Sequence, residues 1–379
     1  MAQRLKTDWF LFWTVISLAF FGLVIIFSAS LPKTELMHIS QFYFMAKQAA
    51  LIGVGVVCLM GLKRLDYRKL NRPEWAFGLM GVMLTMLVAV YFLDSHHHRW
   101  IRVPGFQLQP SELAKPALAI FLAWFVTRRI SAINSRYTLG PAALVIGVLA
   151  VLVLAGDMGT MAVLMITVAA VFYVAGISPR YAAMALAALM LIGVVGIAAK
   201  PYRLRRVVHF VDPSYELLDK ADASGKVKAW LENSMSTRDP NYQARQSVIA
   251  VGSGGLLGLG LMHGKQKMLY VPEAHTDFIY SVIGEELGFF GCAGVLAAFM
   301  VILWRGLRLF WMAPDDFGRY LALAVTVCFT VQALINISVV LDLGPTKGIP
   351  LPLISYGGTS MLSSLVSLGL LLSVSERAG

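Results

Sequence analysis

The feature that most constrains this chain is a recurrence: apolar runs close to the length of about 20 residues that crosses a bilayer return along the whole sequence. They lie near residues 9–29, 42–62, 75–94, 112–127, 140–155, 159–177, 182–199, 276–304, 319–341 and 357–375. Lipid offers the backbone no hydrogen-bond partners, so runs of this kind must close their own bonds as helices. The sequence therefore predicts an all-α, polytopic membrane bundle of about ten helices, a single domain over residues 1–379 with one large loop over 200–275. A hydrophobic share of 58% against 14% charged residues excludes an ordinary soluble domain. The run after Arg4 and Lys6 is about twice a signal-peptide core, and it reads as an uncleaved first span.

The formal charge of +11 does not point to nucleic acid, because the basic residues sit in short clusters between apolar runs. With the N-terminus inside, fifteen Lys and Arg, from Arg4 through Lys63, Arg64, Arg128 and Arg129 to Arg377, fall in cytoplasmic segments. The short outer loops hold four: Lys33, Arg99, Arg102 and Lys347. This asymmetry predicts that both termini are cytoplasmic. Cys58, Cys292 and Cys328 lie inside apolar runs without paired spacing and read as packing residues.

The long loop carries eleven Lys and Arg. Its KPYRLRRVVHFVDP portion sets Arg203, Arg205 and Arg206 beside Val207, Val208 and Phe210, which suits either a basic amphipathic segment on lipid or a solvated charge run. The glycine-rich stretch that follows is no phosphate loop, since Leu259 and Gln266 occupy positions that spacing needs for Gly and for Ser or Thr. It reads instead as close backbone packing in a re-entrant turn.

Ionisable residues then gather where apolar spans begin. Glu273, His275 and Asp277 precede the eighth span, and Glu285 and Glu286 lie within it, where charge needs a reason. Thr276 and Asp277 could simply cap the helix. Ser111 reads as a cap of the fourth span, and Glu112 and Lys115 as an i,i+3 ion pair, with an anion contact as the alternative for Lys115. Asp157 is a turn residue first and a site residue second. His96, His97 and His98 are a poor metal site, because neighbours in an extended chain point apart. Near the end, Lys347 sits in an irregular Gly- and Pro-rich turn, and Ser355, Thr359 and Ser360 open the last span as small polar groups suited to helix packing.

Taken in order, RWI from Arg99, QPSELAK from Gln109, GDMGT from Gly156, PEAHTDFIYSVIGEELG from Pro272 and PLPLISYGGTS from Pro350 resemble the SEDS family of shape, elongation, division and sporulation proteins over nearly the whole chain. The wording around Asp277 is more similar to the division members than to the elongation members. The resemblance implies a peptidoglycan glycosyltransferase of the bacterial cytoplasmic membrane that polymerises lipid II on its outer face. It implies a class B penicillin-binding transpeptidase and other division proteins as partners. Asp277 falls at the family's essential carboxylate, whereas Leu269 stands where many division members carry an acid.

That chemistry needs a base for the acceptor hydroxyl and cations for a departing polyprenyl pyrophosphate. Asp277 is the candidate base. Arg99, Arg102 and Lys115 are candidate phosphate contacts, and Glu112, Asp157, Glu273, His275, Lys347, Ser355, Thr359 and Ser360 are further candidates around the substrate. A divalent cation, magnesium or manganese, is an expected companion of the pyrophosphate. The rival reading is a lipid II flippase using Glu285, Glu286 and Asp342 as midplane groups.

Overall fold

The computed structural model describes residues 7–94, 98–103, 106–198, 201–211, 242–268, 273–345 and 347–378. His96, His97 and Leu269 lie outside these, as does the middle of the long loop. Seven helices come first: α1 (Trp9–Leu36), α2 (Tyr43–Arg64), α3 (Pro73–Leu93), α4 (Pro110–Arg129), α5 (Arg136–Gly156), α6 (Met158–Val174) and α7 (Pro179–Ala198). Then come α8 (Pro201–Val211), α9 (Tyr242–Gly254), α10 (Ile279–Met312), α11 (Asp316–Val340) and α12 (Gly358–Ser375). Between α3 and α4 a short antiparallel hairpin pairs β1 (Ile101–Val103) with β2 (Phe106–Leu108).

Eight of the helices are long and apolar enough to cross a membrane. The two other expected spans are α6, which is apolar but only 17 residues long, and α4, which carries Glu112 and Lys115. Both are held by neighbours: α4 packs on α3, α6, α11 and α12, and α6 on α5 and α11. Burial decides which helices are central. In its most apolar stretch α12 is 83% buried and α11 72%, whereas α7 is 6% buried and stands at the rim with its apolar side chains outward. Small residues let the central helices approach, and serines add bonds between them. Ser363 of α12 donates to the Glu112 carbonyl at 2.6 Å, and Ser373 to that of Leu65 at 2.5 Å.

The glycine-rich stretch after α9 folds back against the first turns of α10, as its composition suggests. Gly288 interrupts α10 with φ 66° and ψ −158°, and the amides beyond the break turn to the returning segment. Phe289 N–H donates to Gly255 O at 2.9 Å, while Leu259 and Gly260 N–H donate to the carbonyls of Glu285 and Glu286 at 3.0 Å. Gly258, at φ +80°, leaves no room for a side chain, because a Cβ there would collide with the Glu286 carbonyl. The two deep acids explain themselves here. Glu285 accepts from the amides of Lys265 and Gln266 at 2.7 and 3.0 Å. Glu286, fully buried, takes Lys267 Nζ at 2.5 Å and Ser28 Oγ at 2.6 Å. These carboxylates fasten the segment to α10, with Glu286 paired to Lys267 and Glu285 satisfied by backbone amides.

At the far end of the bundle, Asp8 takes Arg305 through two bonds of 2.6 and 2.7 Å, and Asp315 takes Tyr67 and Arg68 at 2.5 and 3.1 Å. These pairs tie the ends of α1, α10 and α11 and leave the opposite end, with its irregular loops, to carry the chemistry.

Candidate functional site

Two of the expected caps are absent. The N-cap of α10 is Phe278, and no side chain caps it; the N-cap of α4 is Gln109, likewise without a side-chain bond. Thr276 Oγ1 donates to Glu273, and Ser111 Oγ accepts from Gln109 Nε2 at 3.0 Å. The Asp277 carboxylate is therefore not spent on its helix. Among the described residues the side chain of Asp277 has no hydrogen-bond partner, while its backbone carbonyl accepts from Asn336 Nδ2 at 2.8 Å.

The turn that carries Asp277 is held by its carbonyls. His275 O accepts from Tyr356 N–H at 3.0 Å and Thr276 O from Ser355 Oγ at 2.5 Å. The carboxylate rests against Gly348, where a Cβ would lie 2.5 Å from Asp277 Oδ2. Gly348 in turn offers its carbonyl to Arg99 Nη2 at 3.2 Å, and the same nitrogen reaches Asp157 Oδ2 at 3.1 Å. Asp277, Gly348, Arg99 and Asp157, distant in sequence, thus meet at one end of the bundle.

Beside them is a cavity of about 120 Å³ lined by Arg99, Asp157, Arg203, Arg206, Lys347 and Gly348, among others. Its lining holds four cationic side chains and one carboxylate, a setting for a multiply charged anion. Arg203 and Arg206 come from α8, so the basic segment is a helix whose cations turn inward to the site. Arg203 is anchored on the carbonyls of Gly196, Leu154 and Ala155 at 2.9–3.3 Å, which ties α8 to the ends of α5 and α7. Sequence reading singled out these arginines but offered them only lipid or water. The positive face of an amphipathic segment was the available signal, and its target depends on the folded neighbours.

Electrostatics separates the two aspartates. Burial pushes the Asp277 carboxyl up to about 7, with Asp157 and Glu273 adding to the rise and Arg99 and Arg206 opposing it. Burial alone would also raise Asp157, but the Arg99 charge and the bonds from Thr160 outweigh it and hold that carboxyl below the usual range. Both Asp157 oxygens are engaged: Oδ1 by the amides of Gly159 and Thr160 at the start of α6, Oδ2 by Gln109, Thr160 and Arg99. Asp157 is thus a helix cap and an anchor for Arg99 at once. Lys347 is held below the ordinary lysine value by burial, with Asp157 opposing and Arg203 reinforcing.

The remaining candidates fall elsewhere. Arg102 is exposed on the hairpin opposite Gln107, outside the cavity lining. Glu273 and His275 form a separate cluster with Lys33, at 3.8 and 3.3 Å, beneath Phe44 and Tyr356. Burial, then Lys33, lowers His275 to about 4, so it is neutral near pH 7. Ser355 and Thr359 pin loops: Ser355 Oγ accepts from Leu351 N–H at 2.8 Å, and Thr359 bridges Gln107 and Gln109. Ser360 is buried at the start of α12.

Lys115 is buried, with Nζ at 2.8 Å from Glu112 and 2.6 Å from Gln332 Oε1, and it does not line the arginine cavity. The ion-pair reading of Glu112 and Lys115 matches this geometry. Lys115→Met should then leave a buried carboxylate unpaired and cost roughly 3 kcal/mol of stability, read as a lower unfolding temperature in detergent. Unchanged thermal stability would show that the pair is not needed by the fold.

Fold and site together define a helical integral membrane protein with an acid-and-cation site at one end of its bundle. The chain belongs to the Cell cycle protein family of FtsW, RodA and SpoVE, whose model matches residues 8–378. It is 37% identical to the probable peptidoglycan glycosyltransferase FtsW of Trichlorobacter lovleyi over 95% of this chain and 91% of that one. It is 34% identical to the stage V sporulation protein E of Bacillus subtilis over 94% of this chain and 93% of that protein. Among solved structures, a chain from a peptidoglycan synthase complex that coordinates polymerization and crosslinking superposes with a TM-score of 0.74 at 26% identity, covering 98% of both chains. The rod shape determining protein RodA of Thermus thermophilus shares the fold with a TM-score of 0.66 at 24% identity over 99% of each chain.

Proposed function

We propose that this protein is a peptidoglycan glycosyltransferase of the division type that polymerises lipid II at the outer face of the bacterial cytoplasmic membrane. The observation that carries the reading is the uncommitted Asp277 carboxylate beside a cavity lined by Arg99, Arg203, Arg206 and Lys347. The acceptor 4-hydroxyl of N-acetylglucosamine attacks the anomeric carbon of N-acetylmuramic acid. The new C–O bond forms as the bond from that carbon to the phosphate oxygen breaks, the hydroxyl proton passes to Asp277, and polyprenyl pyrophosphate departs into the cationic cavity. Displacement in one step inverts the alpha-linked donor to a beta-linked product. A carboxyl raised to about 7 suits the base, because it ionises near neutral pH and still binds a proton well.

The described residues contain no cluster of three or more His, Cys, Asp or Glu, and the Asp157 oxygens are already taken. A magnesium or manganese ion would therefore be held by the pyrophosphate oxygens together with one or two carboxylates, and would serve to neutralise the departing charge. Glu285 and Glu286 are fastened to the returning segment, which takes from the transport reading two of its three midplane groups.

The outer position of the site rests on the fifteen-to-four bias of basic residues, which places the Asp277 end outside. A cysteine in place of Asp222 should react with a membrane-impermeant thiol reagent in intact cells; labelling only after permeabilisation would overturn this orientation. For the activity itself, the purified full-length chain, alone and with a class B transpeptidase, should convert purified lipid II to glycan strands. Failure in both settings, with the protein folded, would overturn the proposal.

A further inference from the structure

Asn336 is 2% exposed, near the end of α11, and its side chain has an unusual set of partners. Nδ2 donates to two backbone carbonyls, Asp277 O at 2.8 Å and Ile349 O at 2.7 Å, while Oδ1 is buried without a partner among the described residues. Because both partners are acceptors, only the amide nitrogen can face them, which fixes the orientation of the group. One turn earlier, Gln332 does something similar: Nε2 donates to Pro350 O at 2.8 Å and Oε1 accepts from Lys115. The two carboxamides differ in what they join. Gln332 links the loop to Lys115 of α4, whereas Asn336 joins that loop to the turn bearing the carboxylate.

We infer that Asn336 is a positioning residue for the reaction, clamping the Asp277 turn to the 348–350 loop so that the carboxylate is held against Gly348 and beside Arg99. This rests on the proposed role of Asp277. The other two carbonyls of the turn, His275 O and Thr276 O, are bound by Tyr356 and Ser355, which follow the same loop. Asn336 supplies the third bond, the one at Asp277 itself, and it comes from a helix in the rigid centre. Neither Asp nor an aliphatic residue can replace it, since the position demands two donors and no acceptor.

The test uses the full-length chain in nanodiscs with purified lipid II, and compares Asn336→Ala, Asn336→Ser and Asp277→Asn with the parent. Loss of the clamp should lower kcat in Asn336→Ala by roughly ten- to a hundredfold, the range for a misplaced reacting group, with KM within about twofold. It should also move the ascending limb of the pH–rate profile, since the carboxyl then samples a different environment. Asn336→Ser retains one donor and should recover part of the loss. If Asn336→Ala does not fold, the serine variant decides. A kcat within about threefold of the parent in a folded alanine variant, or no loss in the serine variant where alanine does not fold, overturns the clamp. So does a reduced kcat with an unmoved pH limb, which marks a merely structural role. If Asp277→Asn itself stays active, the assignment of Asp277 fails and the clamp fails with it. If only the Asn336 variants stay active, the clamp alone is wrong.

Discussion

Asp277→Asn is expected to cut glycan polymerisation by roughly a hundredfold or more, the loss that follows removal of a positioned base, while the protein folds as before. Asn keeps the size of the side chain and, at this position, disturbs no cap, because the α10 N-terminus is not capped by any side chain. The substitution therefore isolates proton uptake. It should also remove the ascending limb, which in the parent is centred near 7, where burial has raised the carboxyl. Stability should move the other way. A carboxyl raised in the folded state contributes most when neutral, below its unfolded value near 3.8, and that contribution is lost as pH climbs through about 7. Above pH 7 the parent keeps a charge in a poorly solvated position and the Asn variant does not. The variant should thus unfold about 2 °C or more above the parent at pH 8, with a smaller difference at pH 5. An active variant refutes the base; an inactive variant with no stability gain at pH 8 refutes the raised carboxyl.

Much of this architecture is legible in the sequence. Span-length apolar runs located the ten long helices, since lipid leaves the backbone no alternative, with most ends within four residues, although α1 and α10 continue to Leu36 and Met312, well past the expected 29 and 304. Where the helices depart from a simple apolar span, in α4 and α6, the reason is physical: α6 is only 17 residues long, and α4 carries an internal ion pair that hydropathy penalises and its neighbours satisfy. The ionisable cluster at Glu273, His275 and Asp277 was visible as charge beside an apolar run. Its division into a carboxylate beside a cationic cavity and a neutral histidine tilted against aromatic rings was not, because α8, α11 and the 347–356 loop decide it. Lys115 shows the same limit. Its spacing to Glu112 revealed the ion pair, but spacing on one helix could not reveal Gln332 on another. The glycines misled least, since a residue without a side chain announces close approach wherever it recurs, as at Gly258 and Gly288.

Gly348 gives the second large expected effect, and it tests geometry where Asp277→Asn tests chemistry. The residue has no positive φ, so alanine is conformationally permitted there. Its constraint is space: a Cβ would stand 2.5 Å from Asp277 Oδ2 and 3.9 Å from Arg99 Nη1. Alanine must then push the carboxylate aside or shift the loop, while leaving every ionisable group in place. A displacement near 1 Å at a reacting group costs about a hundredfold, so Gly348→Ala should approach the loss of Asp277→Asn in kcat. Unlike that variant it should retain a titrating limb, because the carboxyl is still present. The KM for lipid II should rise little, since Arg99, Arg203, Arg206 and Lys347 still line the cavity. Steady-state polymerisation between pH 5.5 and 8.5 distinguishes the cases. Near-parental kcat would mean that the carboxylate has room to move without consequence, and that contact with Gly348 does not define its working position.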